Sequence, residues 1–333
     1  ITDEGMLQDI QAHLKETADI ERILARIAIG KASPRDVLNL GTSLEKIPLV
    51  KNTIHKKNKV LTELLLRCAN TEKITALILK TIKLDPPVST KNGNYIRNGF
   101  SIELDELRQL SENASKWMSN MQLEEKKKTE IPSLKVGYNK VFGYYLEVTK
   151  THVKKVPEHY IRKQTLTNSE RYFTEELKEY EDKILSAEEK INSLELSIMN
   201  SLQQQIILCA ESIQKNAKIL SRLDVACALT KLAISNSYKR PIIDRSSYLT
   251  IQNGRHPVVE DLLPLGEDFI PNDLKLDHEN LQIAIITGPN MAGKSTYIRQ
   301  AGIIVILAQI GSYIPADSAR IGVIDQLFTR VGA

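Results

Sequence analysis

The chain has 333 residues, 42 % apolar and 26 % charged, enough for two or three domains with buried cores and against wholesale disorder. The net charge of +4 settles little by itself, and no run of 18 or more apolar residues occurs, which excludes a membrane-spanning helix at this stage. Three widely spaced cysteines, Cys68, Cys209 and Cys227, form no CxxC pair, which argues against a disulfide framework or a zinc site and fits a reducing compartment. The sequence shows no signal-peptide pattern, opens at Ile1 and closes at Ala333 after a turn-like Arg-Val-Gly, and reads as a piece of a longer protein.

The first 80 residues read as helices. Ile20, Ile23, Leu24 and Ile27 recur at helical spacing, with Gly30 as a stop. Ser33, Pro34 and Asp36 supply a hydroxyl cap, a proline at the first helical position and an acid in the first turn of the next helix. Residues 56–79 carry another apolar face through Val60, Leu61, Leu64, Leu65 and Cys68, and Asp85-Pro86-Pro87 breaks the pattern. Residues 101–123 resume it with Leu104, Leu107, Leu110, Ala114, Trp117, Met118 and Met121. Residues 134–149 are aromatic and β-branched with Gly137 and Gly143 as punctuation, which predicts a β-hairpin or small sheet. Residues 174–236 contain no proline or glycine, and Leu177, Ile184, Ile191 and Ile198 repeat every seven residues with Tyr180, Ala187 and Leu194 between them. One helix of that length would reach roughly 90 Å, as a core helix of a bundle or a free coiled coil. Pro241 ends the rod, and residues 242–333 read as α/β. Within them, residues 283–286 are an apolar run suited to a strand buried on both faces, followed by a glycine-rich turn and a helix over about 295–310.

That turn, Gly288-Pro289-Asn290-Met291-Ala292-Gly293-Lys294-Ser295, matches the phosphate-binding pattern G-x-x-x-x-G-K-S/T in full, with the predicted strand before it and helix after it. The glycines let the backbone turn its N–H groups toward phosphates, and the following helix points its positive end at the same anion. Lys294 has the reach for the β- and γ-phosphates, and the Ser295 hydroxyl suits Mg²⁺. An acid on a second strand is expected for hydrolysis. Asp325 is the one downstream acid that closes an apolar run, and it reads more readily as a surface turn residue.

Several longer segments, in order, carry a resemblance. They are VGYNKVFGYYLEV at 136–148, QTLTNSERYFTEEL at 164–177, NGRHPVVE at 253–260, TGPNMAGKSTYIRQ at 287–300 and FTRVGA at 328–333. Together they resemble the MutS DNA mismatch repair proteins of bacterial type over almost the whole chain. The resemblance implies a multidomain, mainly α fold. Residues 1–115 would be core and lever helices, 116–174 an inserted β-rich DNA clamp, 175–240 a long lever helix returning to the core, and 241–333 the first part of a P-loop ATPase domain. ATP and Mg would bind at Gly288, Pro289, Asn290, Met291, Ala292, Gly293, Lys294, Ser295 and Thr296, with Ser295 on the metal and Asn290 and Lys294 in catalytic roles. Phe269 matches the aromatic that packs on adenine, with ordinary core as the other reading. Asn290 matches an asparagine near the γ-phosphate, with a turn cap as the other reading, and His256 is more readily structural than a nucleotide contact. Ala292 stands where bacterial members commonly have glycine. The resemblance further implies a homodimer of the parent protein, MutL as a partner and a cytoplasmic, nucleoid-associated location.

The clamp window is basic. Between Lys126 and Lys163 ten lysines and arginines face only Glu130, Glu147 and Glu158, a balance of +7. Such a patch neutralises phosphates without reading bases. Lys150, Lys154, Lys155, Arg162, Lys163 and Asn168 are the expected contacts to duplex DNA. Two other readings stay open: a P-loop ATPase of the chromosome-maintenance coiled-coil class, and a DNA-binding scaffold without turnover.

Overall fold

The computed structural model describes residues 4–54, 58–139, 143–264, 266–289 and 292–330. It is mainly helical with two four-stranded sheets, and it divides into two compact units. One comprises Ile1–Lys15, Leu49–Arg67 and Lys218–Ala333; the other comprises Glu16–Pro48 and Cys68–Ala217. No helix among the described residues is long and apolar enough to cross a membrane.

The amino-terminal helices are α1 (Glu4–Lys15), α2 (Ile20–Ala28), α3 (Pro34–Ile54), α4 (Lys59–Leu66) and α5 (Glu72–Thr81). Their ends follow local chemistry. Asp19 accepts from Arg22 N to start α2, and Gly30 takes φ +67 just past its end. At α3 the Ser33 hydroxyl accepts from Asp36 N at 3.2 Å while the Asp36 carboxylate accepts from Ser33 N at 2.8 Å, so two backbone donors are satisfied reciprocally. The apolar face expected over 56–79 is split between α4 and α5. Asn58 caps the first through Leu61 N, the side chain of Asn70 accepts from Glu72 N before the second, and Lys56 lies outside the described residues.

The long helices build the second unit. α6 (Ile102–Thr129) starts at Ser101, whose hydroxyl accepts from Leu104 N, and buries Leu104, Met118 and Met121; Leu110, expected on that face, is exposed, and the Ala114 side chain lies outside the described residues. α7 (Glu175–Leu208) starts at Thr174 in the same way and packs along α6. The single rod expected over 174–236 is two helices. At Cys209 the N–H bonds back to the Ile206 and Ile207 carbonyls, the backbone leaves α geometry, and α8 (Ala210–Ser235) begins. The heptad seam fails for a geometric reason. A straight α-helix drifts about 20° per heptad, so Ile191 and Ile198 turn half out and the buried stripe passes to Glu195, Met199, Leu202 and Ile206.

Between α6 and α7 lies the first sheet: β1 (Lys135–Asn139), β2 (Gly143–Thr149), β3 (Ile161–Thr165) and β4 (Ser169–Phe173), antiparallel in the order β1-β2-β4-β3. The hairpin expected over 134–149 is therefore present and extended by two strands; Lys140, Val141 and Phe142 lie outside the described residues. Leu146, Val148, Tyr160 and Tyr172 pack on Met118, Met121, Leu177 and Ile184, and Trp117 stacks on Tyr180 at 3.5 Å. Gly143 has φ +72, and a Cβ there would strike the Glu181 carboxylate that accepts from Tyr144 N.

The second sheet contains β5 (Ile242–Asp244), β6 (Leu249–Gly254), β7 (Asn272–Leu276) and β8 (Ser318–Gly322) in the order β5-β8-β6-β7. β6 runs antiparallel to β7 and β8, and β5 parallel to β8. Before β7 stands the short helix α9 (Pro257–Asp261), and α10 (Lys294–Gln309) covers the sheet by packing Ile304 and Ala308 on Ile251, Ala319 and Ile321. The strand expected at 283–286 is not formed: Ile283 is 78 % and Ile285 85 % exposed. A strand buried on both faces needs ladder neighbours and covering layers, and no strand among the described residues borders this run.

Candidate functional site

The phosphate-binding pattern forms a loop that closes on α10. Gly293 caps that helix with φ +84, a left-handed conformation that favours glycine, and Lys294 begins it. The Lys294 ammonium folds back over the loop and donates to the Gly288 carbonyl at 2.5 Å and the Pro289 carbonyl at 2.7 Å. A cation held at the mouth of a helix N-terminus suits an anion that replaces those carbonyls as acceptor.

Beside the loop is an open cleft of about 800 Å³, within the usual range for small-molecule sites. Ala292, Gly293, Lys294, Thr296 and Tyr297 line one part of it, Ile285, Ile286 and Thr287 a second, and Asp268, Phe269, Ile270 and Asn272 a third. Phe269 thus shares a cleft with the loop although the two are separate in sequence. Ser295 is exposed in the first turn of α10, outside the lining, and Asn290 and Met291 lie outside the described residues. Tyr297, whose hydroxyl donates to the Asp273 carbonyl at 2.7 Å, belongs to the cleft but was not singled out in the sequence. Its spacing of three residues from Lys294, one helical turn, is the local signal for it. Asp325 is exposed in a bend after β8, away from the lining.

The side chains of 253–260 are engaged in local bonds. Buried His256 caps α9 by accepting from Val259 N through Nδ1 at 3.3 Å, and burial, with the Arg299 charge, holds its pKa below the usual value. Asn253 donates to Asp317 and Arg255 pairs with Glu260 at 3.0 Å. Gly254 is needed for close approach: a Cβ would stand 2.7 Å from Gln300 Nε2 on α10.

In the unit that holds the first sheet, a 3₁₀ turn over Lys150–Lys155 follows β2, and the Lys150 N–H donates to the Asn168 carbonyl at 3.1 Å. This bond joins the turn to the β3–β4 connection, so Lys150, Lys154, Lys155 and Asn168 are brought together and all are exposed. Arg162 and Lys163, also exposed, stand at a register shift in β3. Their free charge differs. Lys155 pairs with Glu130 at 3.6 Å and Arg162 lies 3.9 Å from Glu170, whereas Lys150 and Lys154 have no ion pair among the described residues. Lys163 lies over the Phe173 ring at 5.2 Å. The sheet face beneath is braced by Arg171, which pairs with Glu147 at 3.0 Å and stacks on Tyr145. The same region holds a group that the sequence did not disclose. His152 Nδ1 lies 3.1 Å from both Thr149 and Thr151 Oγ1 and 3.3 Å from Ser133 Oγ.

Comparison with known proteins fits this arrangement. The model of MutS family domain IV matches residues 99–190, and that of MutS domain V matches residues 284–333. A protein of Salinibacter ruber named "DNA mismatch repair protein MutS" is 46 % identical over 337 residues, covering 100 % of this chain and 37 % of the relative. Its namesake in Phocaeicola vulgatus is 47 % identical over 325 residues, covering 97 % and 37 % respectively. That of Clostridioides difficile is 46 % identical, covering 100 % and 36 %. The chain spans little more than a third of the length of these relatives. With two domain models matched and close relatives aligned along its whole length, the chain belongs to the MutS family.

Proposed function

We propose that this chain is a working part of a DNA mismatch repair ATPase: it binds ATP with Mg²⁺ in the cleft beside residues 288–296 and grips the backbone of duplex DNA with the basic end of its clamp sheet. The observation that carries the nucleotide half is the shared cleft of Phe269, Lys294 and Thr296. A flat apolar ring suits a purine face, while a lysine and a helix N-terminus suit phosphates. The Ser295 hydroxyl, in the first turn of α10, would supply a hard oxygen donor of the kind Mg²⁺ takes. Bound Mg²⁺ would neutralise charge on the β- and γ-phosphates. Asn290 would act beside the γ-phosphate. Lys150, Lys154, Lys155, Arg162, Lys163 and Asn168 would contact DNA phosphates, and α6 and α7 would transmit the nucleotide state as levers. The identity to the named relatives extends the proposal to a homodimer of the parent protein and to MutL as its partner.

Titration with a fluorescent ATP analogue tests the nucleotide half. Lys294→Ala should weaken binding about tenfold or more, the value of one charged hydrogen bond, and Phe269→Ala should weaken binding of ATP but not of inorganic triphosphate. Unchanged affinity in both variants would remove the assignment.

A DNA-binding scaffold without turnover is the second reading. Asp268 is the one carboxylate among the cleft-lining residues, and this observation favours it.

A further inference from the structure

The hydroxyls around His152 have no part in the proposal above, although it supplies their setting. Ser133 Oγ lies 2.9 Å from Thr149 Oγ1, which lies 3.0 Å from Thr151 Oγ1, which lies 3.1 Å from His152 Nδ1. Each hydroxyl has one proton to give and lone pairs to receive. Read from Ser133 to Thr149 to Thr151 to the imidazole, every proton finds an acceptor and the chain ends on Nδ1. An imidazole that accepts at Nδ1 and is neutral carries its proton on Nε2, at the far edge of the ring. The half-buried ring sits in the turn between exposed Lys150 and exposed Lys154, which have no ion pair among the described residues. Glu130 pairs with Lys155, and Glu147 with Arg171.

We propose that His152 is a neutral hydrogen-bond donor to a DNA phosphate, its Nε2–H tautomer held by the Ser133–Thr149–Thr151 hydroxyl relay. The inference rests on the DNA-gripping reading of the clamp. It differs from the lysine contacts in a measurable way. A lysine on a phosphate releases counterions, so its loss lowers the slope of log K against log salt by about 0.9; a neutral donor releases none.

The test is a titration of a labelled duplex with the whole chain at several salt concentrations and one slightly alkaline pH. His152→Leu should weaken binding by about three- to tenfold at every salt concentration with the slope unchanged, and His152→Gln, which keeps an N–H donor at that reach, should restore most of it. Thr149→Val and Thr151→Val together should weaken binding in the same salt-independent way, because they remove the two hydroxyls that lie 3.1 Å from Nδ1. In the wild type, ¹⁵N spectra of the imidazole should show Nδ1 unprotonated without DNA and a shifted Nε2 resonance with it, a readout that needs no variant to fold. Unchanged affinity in His152→Leu, a fall in slope, or a proton on Nδ1 would each overturn the inference. The double variant Lys154→Ala, Lys155→Ala separates this failure from that of the wider reading. If it keeps both affinity and slope, Lys154 and Lys155 lie outside the DNA contact surface and the gripping reading fails at this turn; if it loses slope while His152→Leu is silent, only the histidine inference falls.

Discussion

Glu195 shows how much one residue can hold. It lies on α7 with no exposure, and its carboxylate accepts from Asn94 N at 2.6 Å and from Arg108 Nη2 at 2.5 Å. Arg108, on α6, also donates to the Ile96 carbonyl at 2.9 Å, so one ion pair ties two long helices to the segment that precedes them. The same segment demands a glycine at Gly93, where φ is +61 and a Cβ would stand 2.5 Å from Asn192 Oδ1. Removing one partner of a buried pair leaves the other charge uncompensated. Glu195→Ala should therefore cost about 3–5 kcal/mol. Urea unfolding of the variant measures this, and a loss below about 1 kcal/mol would mean that water replaces the carboxylate.

At the scale of elements, the first sheet depends on α6 through a second carboxylate. Glu125, buried near the end of α6, accepts from the Tyr160 hydroxyl at 2.6 Å and from Lys128 at 3.1 Å. Burial alone would raise its pKa, but these bonds outweigh it and the net direction is down from 4.5. The Tyr160 hydroxyl is pushed up by burial and by the same bond. A depressed folded pKa gives stability that is complete above the unfolded value of 4.5 and is lost as pH falls through the lower folded value. This unit should therefore weaken on acidification below that point, and Glu125→Gln should be less stable at neutral pH but lose less on acidification. The chain's single tryptophan, Trp117, packs against this core and reports on it. Denaturant curves followed by its fluorescence on either side of pH 4.5 decide the matter, and equal acid losses in both proteins would count against the Glu125 account.

For the whole molecule, binding and turnover are separable. The cleft contains the lysine, the helix N-terminus and the aromatic ring that would hold a nucleotide under the proposal, but Asp268 is its one carboxylate among the described lining residues. The 333-residue chain should bind ATP–Mg²⁺ and hydrolyse it slowly or not at all. Binding to the folded state alone stabilises by mass action, about 2.7 kcal/mol at a hundred times Kd, so ATP should raise the melting temperature of the wild type and not of Lys294→Ala. Phosphate release at the rate of a full-length relative would contradict the expectation.

What the sequence determined by itself was short-range. Caps such as Ser33, Ser101 and Thr174 act within one helical turn, the 134–149 hairpin follows from one aromatic and β-branched stretch punctuated by Gly137 and Gly143, and the phosphate loop is one contiguous pattern before a helix. The longer segments determined the family. The tertiary structure decided whatever depends on surfaces meeting. Phe269 reaches the loop because the segment before β7 closes one side of the cleft. Ser133 reaches His152 because the end of α6 folds against the turn after β2. Glu195 is one of many acids on α7 in the sequence, and only the fold brings Arg108 and the Asn94 amide onto it. The two misread elements have the same origin. The seven-residue spacing said nothing of which stripe of α7 would meet α6, and the apolar run at 283–286 said nothing of whether a neighbouring strand would border it. Periodicity records what a segment is able to bury, and only the assembled chain supplies the surface that buries it.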